Sequence, residues 1–182
     1  MHPETKSCCF TGYRPEKFPF KFSADNTQYI AFENRLTQTI YKLCENGCHT
    51  FYSGMAMGFD IVAAECVLLS REVCRTSSIK LVCAVPFIEQ SKSFPKEWQR
   101  RYNDILTKAD EVILTSDKYF SSCYMRRNRF MVDNSDFVVT WFDGKSGGTK
   151  STMDYARRLG RTVINLNTEY VDTNFTEYTI ID

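Results

Sequence analysis

The chain is poor in histidine. Its 182 residues include two: His2, two residues before Glu4 in the N-terminal start, and His49, which enters the second predicted strand at the end away from any ligand crevice. Ser-His-Asp and Cys-His catalysis require an imidazole beside the nucleophile, so neither is expected. Excess charge of one sign is also lacking. With 23 lysines and arginines against 22 aspartates and glutamates the net charge is +1, which excludes a protein that wraps polyanions by bulk charge and makes nucleic acid an unexpected partner. No long hydrophobic run occurs. The densest, at 81–85, is cut by Pro86, far short of the roughly 18 residues of a membrane helix. No signal-peptide core follows the start either, so a cytoplasmic protein without membrane contact is expected. Paired C-x2-C units are missing as well. Of the eight cysteines, Cys8, Cys9, Cys66 and Cys83 lie in apolar segments, where cysteine behaves as a small hydrophobe, and no metal site is expected.

What is present is a globular composition of 43% hydrophobic and 25% charged residues, sized for one domain over residues 1–182. Short apolar or β-branched runs at 7–11, 50–53, 79–85, 111–115, 137–141 and 162–166 predict strands. Between them, helical periodicity predicts helices at 26–45, 58–74, 96–109, 122–134 and 148–159. Regular strand-helix alternation implies parallel βαβ units and a Rossmann-like three-layer α/β domain with a mainly parallel sheet and helices on both faces. Residues 171–182 form either an edge strand or a tail.

Ligands of open parallel sheets bind outside the carboxyl ends of the strands, so the loops after each strand carry the candidates. They are Gly12, Tyr13 and Arg14 after the first strand, and Ser53, Gly54, Met55, Gly58 and Asp60 after the second. Pro86 and Phe87 follow the third, Arg127 and Asn128 the fourth, and Gly147, Gly148 and Thr149 the fifth. Gly147-Gly148-Thr149 opens a helix, whose free N–H groups and dipole favour a phosphate; a plain turn capped by Thr149 is the competing reading. Gly54 and Gly58 form a second glycine turn, with Asp60 in the first turn of its helix either meeting the dipole or contacting a sugar hydroxyl. Arg14 and Arg127 are charge clamps for a phosphate, or else surface arginines. Arg126, Arg127, Arg129 and Lys118 against Asp117 make the fourth loop locally basic. Trp98, Tyr102, Tyr124 and Trp141 are candidates for stacking on a base, with core packing as the alternative. The glycine turns match neither a Walker loop nor G-x-G-x-x-G, which removes support for ATP hydrolysis and for dinucleotide dehydrogenase chemistry.

Taken in order, T-G-Y-R, S-G-M-A-M-G-F-D, P-F, R-N-R-F-M-V-D-N-S-D and G-G-T resemble the SLOG superfamily, in particular its small bacterial YpsA-like branch, over roughly residues 7–165. The resemblance implies a Rossmann-like fold that binds a nucleotide or a nucleotide-derived phosphate ligand, as a sensor or regulator, with no separate cofactor. Two relatives imply alternatives. S-G-M-A-M-G-F-D is similar to the S-G-x-A-x-G-x-D loop of the DNA-processing protein DprA, a single-stranded DNA binder. G-G-T resembles part of the P-G-G-x-G-T-x-x-E motif of the LOG phosphoribohydrolases, which split nucleoside monophosphates into base and ribose phosphate. Thr152 stands where that motif has its glutamate, and the nearest acid, Asp154, lies half a turn further on. The catalytic half of the LOG motif is therefore absent, and no catalytic residue is assigned. A homo-oligomer is compatible with the sequence, which indicates no protein partner.

Overall fold

The computed structural model describes residues 5–74 and 78–167. Six strands, β1 (Lys6–Thr11), β2 (Cys48–Ser53), β3 (Lys80–Val85), β4 (Glu111–Leu114), β5 (Phe137–Thr140) and β6 (Thr162–Asn165), form one sheet in the order β4-β3-β2-β1-β5-β6. Every neighbouring pair is parallel. Between the strands run α1 (Thr27–Glu45), α2 (Phe59–Val73), α3 (Lys96–Lys108), α4 (Cys123–Asp133) and α5 (Gly148–Arg158). The expected α/β architecture is therefore present, with element bounds within about two residues of the sequence pattern.

The helices form where apolar residues recur every three or four positions. In α1 these are Tyr29, Phe32, Leu36, Ile40 and Leu43, all buried. The Asn26 side chain caps this helix, accepting hydrogen bonds from the amides of Gln28 and Tyr29 at 3.0 Å. Successive residues of β1 serve opposite sides of the sheet. Cys8 and Phe10 enter the larger core beneath α1, α2 and α3, whereas Cys9 joins Ala84, Met131, Val132, Val138 and Ala156 beneath α4 and α5. All eight cysteines are free thiols, and burial pushes Cys9 up to about 12. Among the described residues no helix is long and apolar enough to cross a membrane.

Three of the four candidate stacking aromatics belong to this core. Trp98, Tyr102 and Trp141 are buried, Trp141 within 5.3 Å of the Phe18 and Phe32 ring centres. Their area contributes more to the core than it could in an open loop. Two 3-10 turns, Pro15–Lys17 and Gln90–Ser93, are too short to produce a periodic signal and were not expected. The segment 171–182 lies outside the described residues.

The strand order places the site. From β1 the chain steps outward through β2, β3 and β4, then crosses to the other side of β1 to lay down β5 and β6. The direction of winding reverses between β1 and β5, and the loops leaving these two strands diverge to opposite faces. A crevice opens there, beyond the carboxyl ends of both strands.

Candidate functional site

The crevice at this switch point is a cavity of about 280 Å³. It is lined by Thr11, Gly12, Tyr13, Arg14 and Lys17 after β1, Ala56 and Asp60 after β2, Tyr124, Arg127 and Asn128 of α4, and Gly147, Gly148 and Thr149 at the start of α5. Three cations, Arg14, Lys17 and Arg127, face one carboxylate, Asp60. The surplus positive charge is concentrated here although the whole chain is nearly neutral.

Arg127 and Asp60 form the floor. Both are buried, at 4% and 5% exposure. Arg127 Nη1 lies 4.0 Å from Asp60 Oδ2, beyond hydrogen-bond reach, and has no hydrogen-bond partner. A buried guanidinium with an unused donor is costly, and this Nη1 packs into the space beside Gly54 and Asp60. Burial raises Asp60 to about 6, an effect that Arg127 partly offsets. The other side of the guanidinium is fixed. Arg127 Nε donates to Asn128 Oδ1 at 2.7 Å, Asn128 Nδ2 donates to Thr152 Oγ1 at 2.9 Å, and Thr152 Oγ1 donates to the Gly148 carbonyl at 2.8 Å. This relay couples the arginine to the first turn of α5.

The α5 entrance is open. Gly147 precedes the helix at φ +148°, a conformation that L side chains rarely adopt. No side chain caps the helix, so its first amides have no side-chain acceptor. A Cβ at Gly148 would meet nothing within 4 Å. Lys17 approaches from the opposite wall, its Nζ 3.9 Å from where a Cβ of Gly147 would sit. Arg14 stacks 5.9 Å from the Tyr124 ring centre, and Tyr124 in turn meets Phe87 edge-on at 5.8 Å.

The β2–α2 loop has a different use. A Cβ at Gly54 would stand 2.1 Å from Arg127 Nη1, and one at Gly58 would stand 2.8 Å from the Tyr13 carbonyl. These glycines admit the protein's own groups. Ser53 Oγ accepts from the Met55 amide at 3.1 Å and donates to the Asp60 carbonyl at 2.8 Å. Gln90 Nε2 donates to the carbonyls of Gly54 and Met55, each at 3.2 Å. Gly12 is likewise packed, its missing Cβ replaced by the Phe59 ring.

Of the residues expected from sequence, the fold brings Gly12, Tyr13, Arg14, Asp60, Arg127, Asn128, Gly147, Gly148 and Thr149 to the cavity wall, with Tyr124. It leaves Ser53, Gly54, Met55, Gly58 and Pro86 behind the wall, where the loop is tied to Gln90 and Arg127 instead of facing the cavity. Phe87 supports Tyr124 from outside. Thr149 does not cap α5; Gly147 holds that position. Three lining residues escaped the sequence reading as candidates, Thr11, Lys17 and Ala56. Lys17 had a signal, since Pro15 starts a 3-10 turn in which residues three apart share a side, placing Lys17 with Arg14. Asp154, the nearest acid to the LOG glutamate position, pairs with Lys150 at 2.6 Å and does not line the crevice.

Comparison with known proteins agrees with the fold. The YpsA family model, described as the YspA SLOG family, matches residues 8–173. The chain belongs to this SLOG family. Among curated relatives, the SPbeta prophage-derived protein YoqJ of Bacillus subtilis is 29% identical over 160 residues, covering 80% of this chain and 92% of YoqJ. The UPF0398 protein BH1768 of Halalkalibacterium halodurans is 27% identical over 148 residues, covering 80% and 77%. Among solved structures, DprA of Streptococcus pneumoniae aligns with a TM-score of 0.58 at 18% identity, over 88% of this chain and 50% of DprA. The Helicobacter pylori DprA whose single-stranded DNA binding mode has been solved aligns equally, at 20% identity, over 88% and 65%. The chain thus spans half to two thirds of these DprA proteins, and at these identities the likeness establishes the shared fold.

Proposed function

We propose that this SLOG protein binds a phosphate-bearing nucleotide or nucleotide derivative in the crevice between β1 and β5. The observation that carries the reading is the uncapped helix entrance at Gly147, Gly148 and Thr149, which shares one cavity with Arg14, Lys17 and Arg127. The phosphate lies against the amides of Gly148 and Thr149, with Arg14, Lys17 and Arg127 supplying charge. Asp60 accepts a sugar hydroxyl, and the Tyr124 ring receives the rest of the ligand. Thermal shift with a panel of mononucleotides tests this, because a ligand that binds only the native state raises the melting temperature by mass action. A saturable rise is expected, and no rise with any member at millimolar concentration would contradict the reading. The Helicobacter pylori DprA likeness weakens the expectation that nucleic acid is not a partner, so single-stranded oligonucleotides belong in the panel. A shift by oligonucleotides alone, falling steeply with salt, would transfer the site to a DNA strand.

A second reading rests on Asp60. A carboxyl held near 6 inside a ligand crevice is suited to proton transfer at neutral pH, which would make the protein a nucleotide N-glycosidase with Asp60 as acid. Thr152, locked between Asn128 and Gly148, offers no replacement for the LOG glutamate. Release of free base from a nucleoside monophosphate, abolished by Asp60→Asn, would establish this activity; no release by the wild-type protein would exclude it.

A further inference from the structure

A second cavity adjoins the crevice. It measures about 310 Å³, runs between α4 and α5, and shares Tyr124, Asn128 and Gly148 with the first. Its far end is lined by Met125, Arg129, Tyr155 and Arg158. The Arg129 guanidinium lies 5.5 Å, and that of Arg158 5.8 Å, from the Tyr155 ring centre. The acids nearby are already engaged. Asp133 accepts the Tyr155 hydroxyl at 2.7 Å, and Asp154 is paired with Lys150 and, at 3.9 Å, with Arg157. Among the described residues neither Arg129 nor Arg158 has a carboxylate within ion-pair distance, so two positive charges flank one aromatic ring in a groove continuous with the crevice.

The spacing sets the size of the occupant. Tyr155 and Arg158 lie seven and ten residues beyond Gly148 on the same helix, about 10 and 15 Å along its axis at roughly 1.5 Å per residue. We propose that the α4–α5 groove is a second subsite, taking the phosphate of a second nucleoside unit between Arg129 and Arg158 at the edge of the Tyr155 ring, so that the ligand is a dinucleotide. The inference rests on the crevice holding the first phosphate. One nucleotide anchored at Gly148 fills one of two joined cavities of similar volume, and the second unit accounts for the other. A long strand is the less favoured occupant, because the groove ends with the last turn of α5 and the chain carries a net charge of only +1.

Calorimetry with adenosine monophosphate, diadenosine tetraphosphate, whose outer phosphates can span most of this distance, and a 5′-phosphorylated oligodeoxyadenylate tests the inference on the wild-type protein, on Gly148→Glu and on the double variant Arg129→Gln/Arg158→Gln. Both arginines are exposed, and circular dichroism verifies that the variants fold. The expected result is that diadenosine tetraphosphate binds the wild type at least about tenfold more tightly than the monophosphate, as linked binding units do. The double variant should lose about that tenfold while its monophosphate affinity stays within about twofold. Equal wild-type affinities for the two would overturn the groove alone, as would equal weakening of both by the double variant. Tighter binding of the oligomer than of the dinucleotide would overturn it in favour of a strand. The crevice reading fails separately if Gly148→Glu binds the monophosphate as the wild type does, and absence of binding by all three probes overturns both.

Discussion

Two glycine turns enter helices on this sheet, and they have opposite uses. In the β2–α2 turn the space left by Gly54 is occupied by the Arg127 guanidinium and that left by Gly58 by the Tyr13 backbone and Pro15. In the β5–α5 turn the space beside Gly148 is empty. A glycine in a strand-to-helix turn shows that something approaches the backbone closely; the sequence does not show whether that something is a ligand or the protein. Here the first turn positions the arginine and the second faces the cavity it guards.

The largest effect expected from breaking this contrast is at the buried pair. Arg127→Met removes the buried cation paired with Asp60 on the floor, and chemical denaturation should show a loss of about 3 to 5 kcal/mol at pH 7, as for other half-removed buried pairs. Gly54→Ala drives a methyl into the same guanidinium and should cost about 1 to 3 kcal/mol by overpacking. A Gly54→Ala protein as stable as wild type would mean that the turn is not packed as described.

Gly148→Glu probes the open turn. It has room for a side chain, no positive φ to oppose one, and a carboxylate at a helix start that favours the dipole. The variant should fold with a melting temperature near that of wild type and lose about a hundredfold or more in nucleotide affinity by calorimetry, since its carboxylate occupies the anion position. Lys145→Ala, in the same loop, should change affinity by less than about twofold, because Lys145 is exposed and already paired with Asp143 at 2.7 Å.

The pH dependence is smaller and has a definite sign. Burial raises Asp60 from 3.8 to about 6 in the folded protein, so folding takes up a proton between these values, and this group's contribution to stability rises as pH falls through that window. An anion in the crevice also prefers the neutral acid. Sulfate, doubly charged throughout, should therefore bind severalfold more tightly as pH falls from about 7 to about 5. Asp60→Asn should flatten the curve; an unchanged slope in that variant would place the titrating group elsewhere.

The order and type of the six strands and five α-helices were legible because β-branched runs and three-to-four spacing are local signals. Trp98, Tyr102 and Trp141 could not be separated from stacking residues, since a core aromatic and a ligand-facing one have the same side chain and differ only in tertiary surroundings. Arg127 was legible as a cation near the crevice, but not as the buried group that fills the Gly54 turn. That contact joins residues 73 positions apart, and no local pattern encodes it. Lys17 was hidden by a turn too short to give a period.

In the proposed function the ligand phosphate meets the β5–α5 turn and not the β2–α2 turn. Amide proton and nitrogen shifts recorded while adenosine monophosphate is titrated into the isotope-labelled protein test it directly. Saturable downfield movement of the Gly148 and Thr149 amides, with those of Gly54 and Met55 nearly still, is the predicted result. The largest movement at Gly54 and Met55, with Gly148 unmoved, would contradict it.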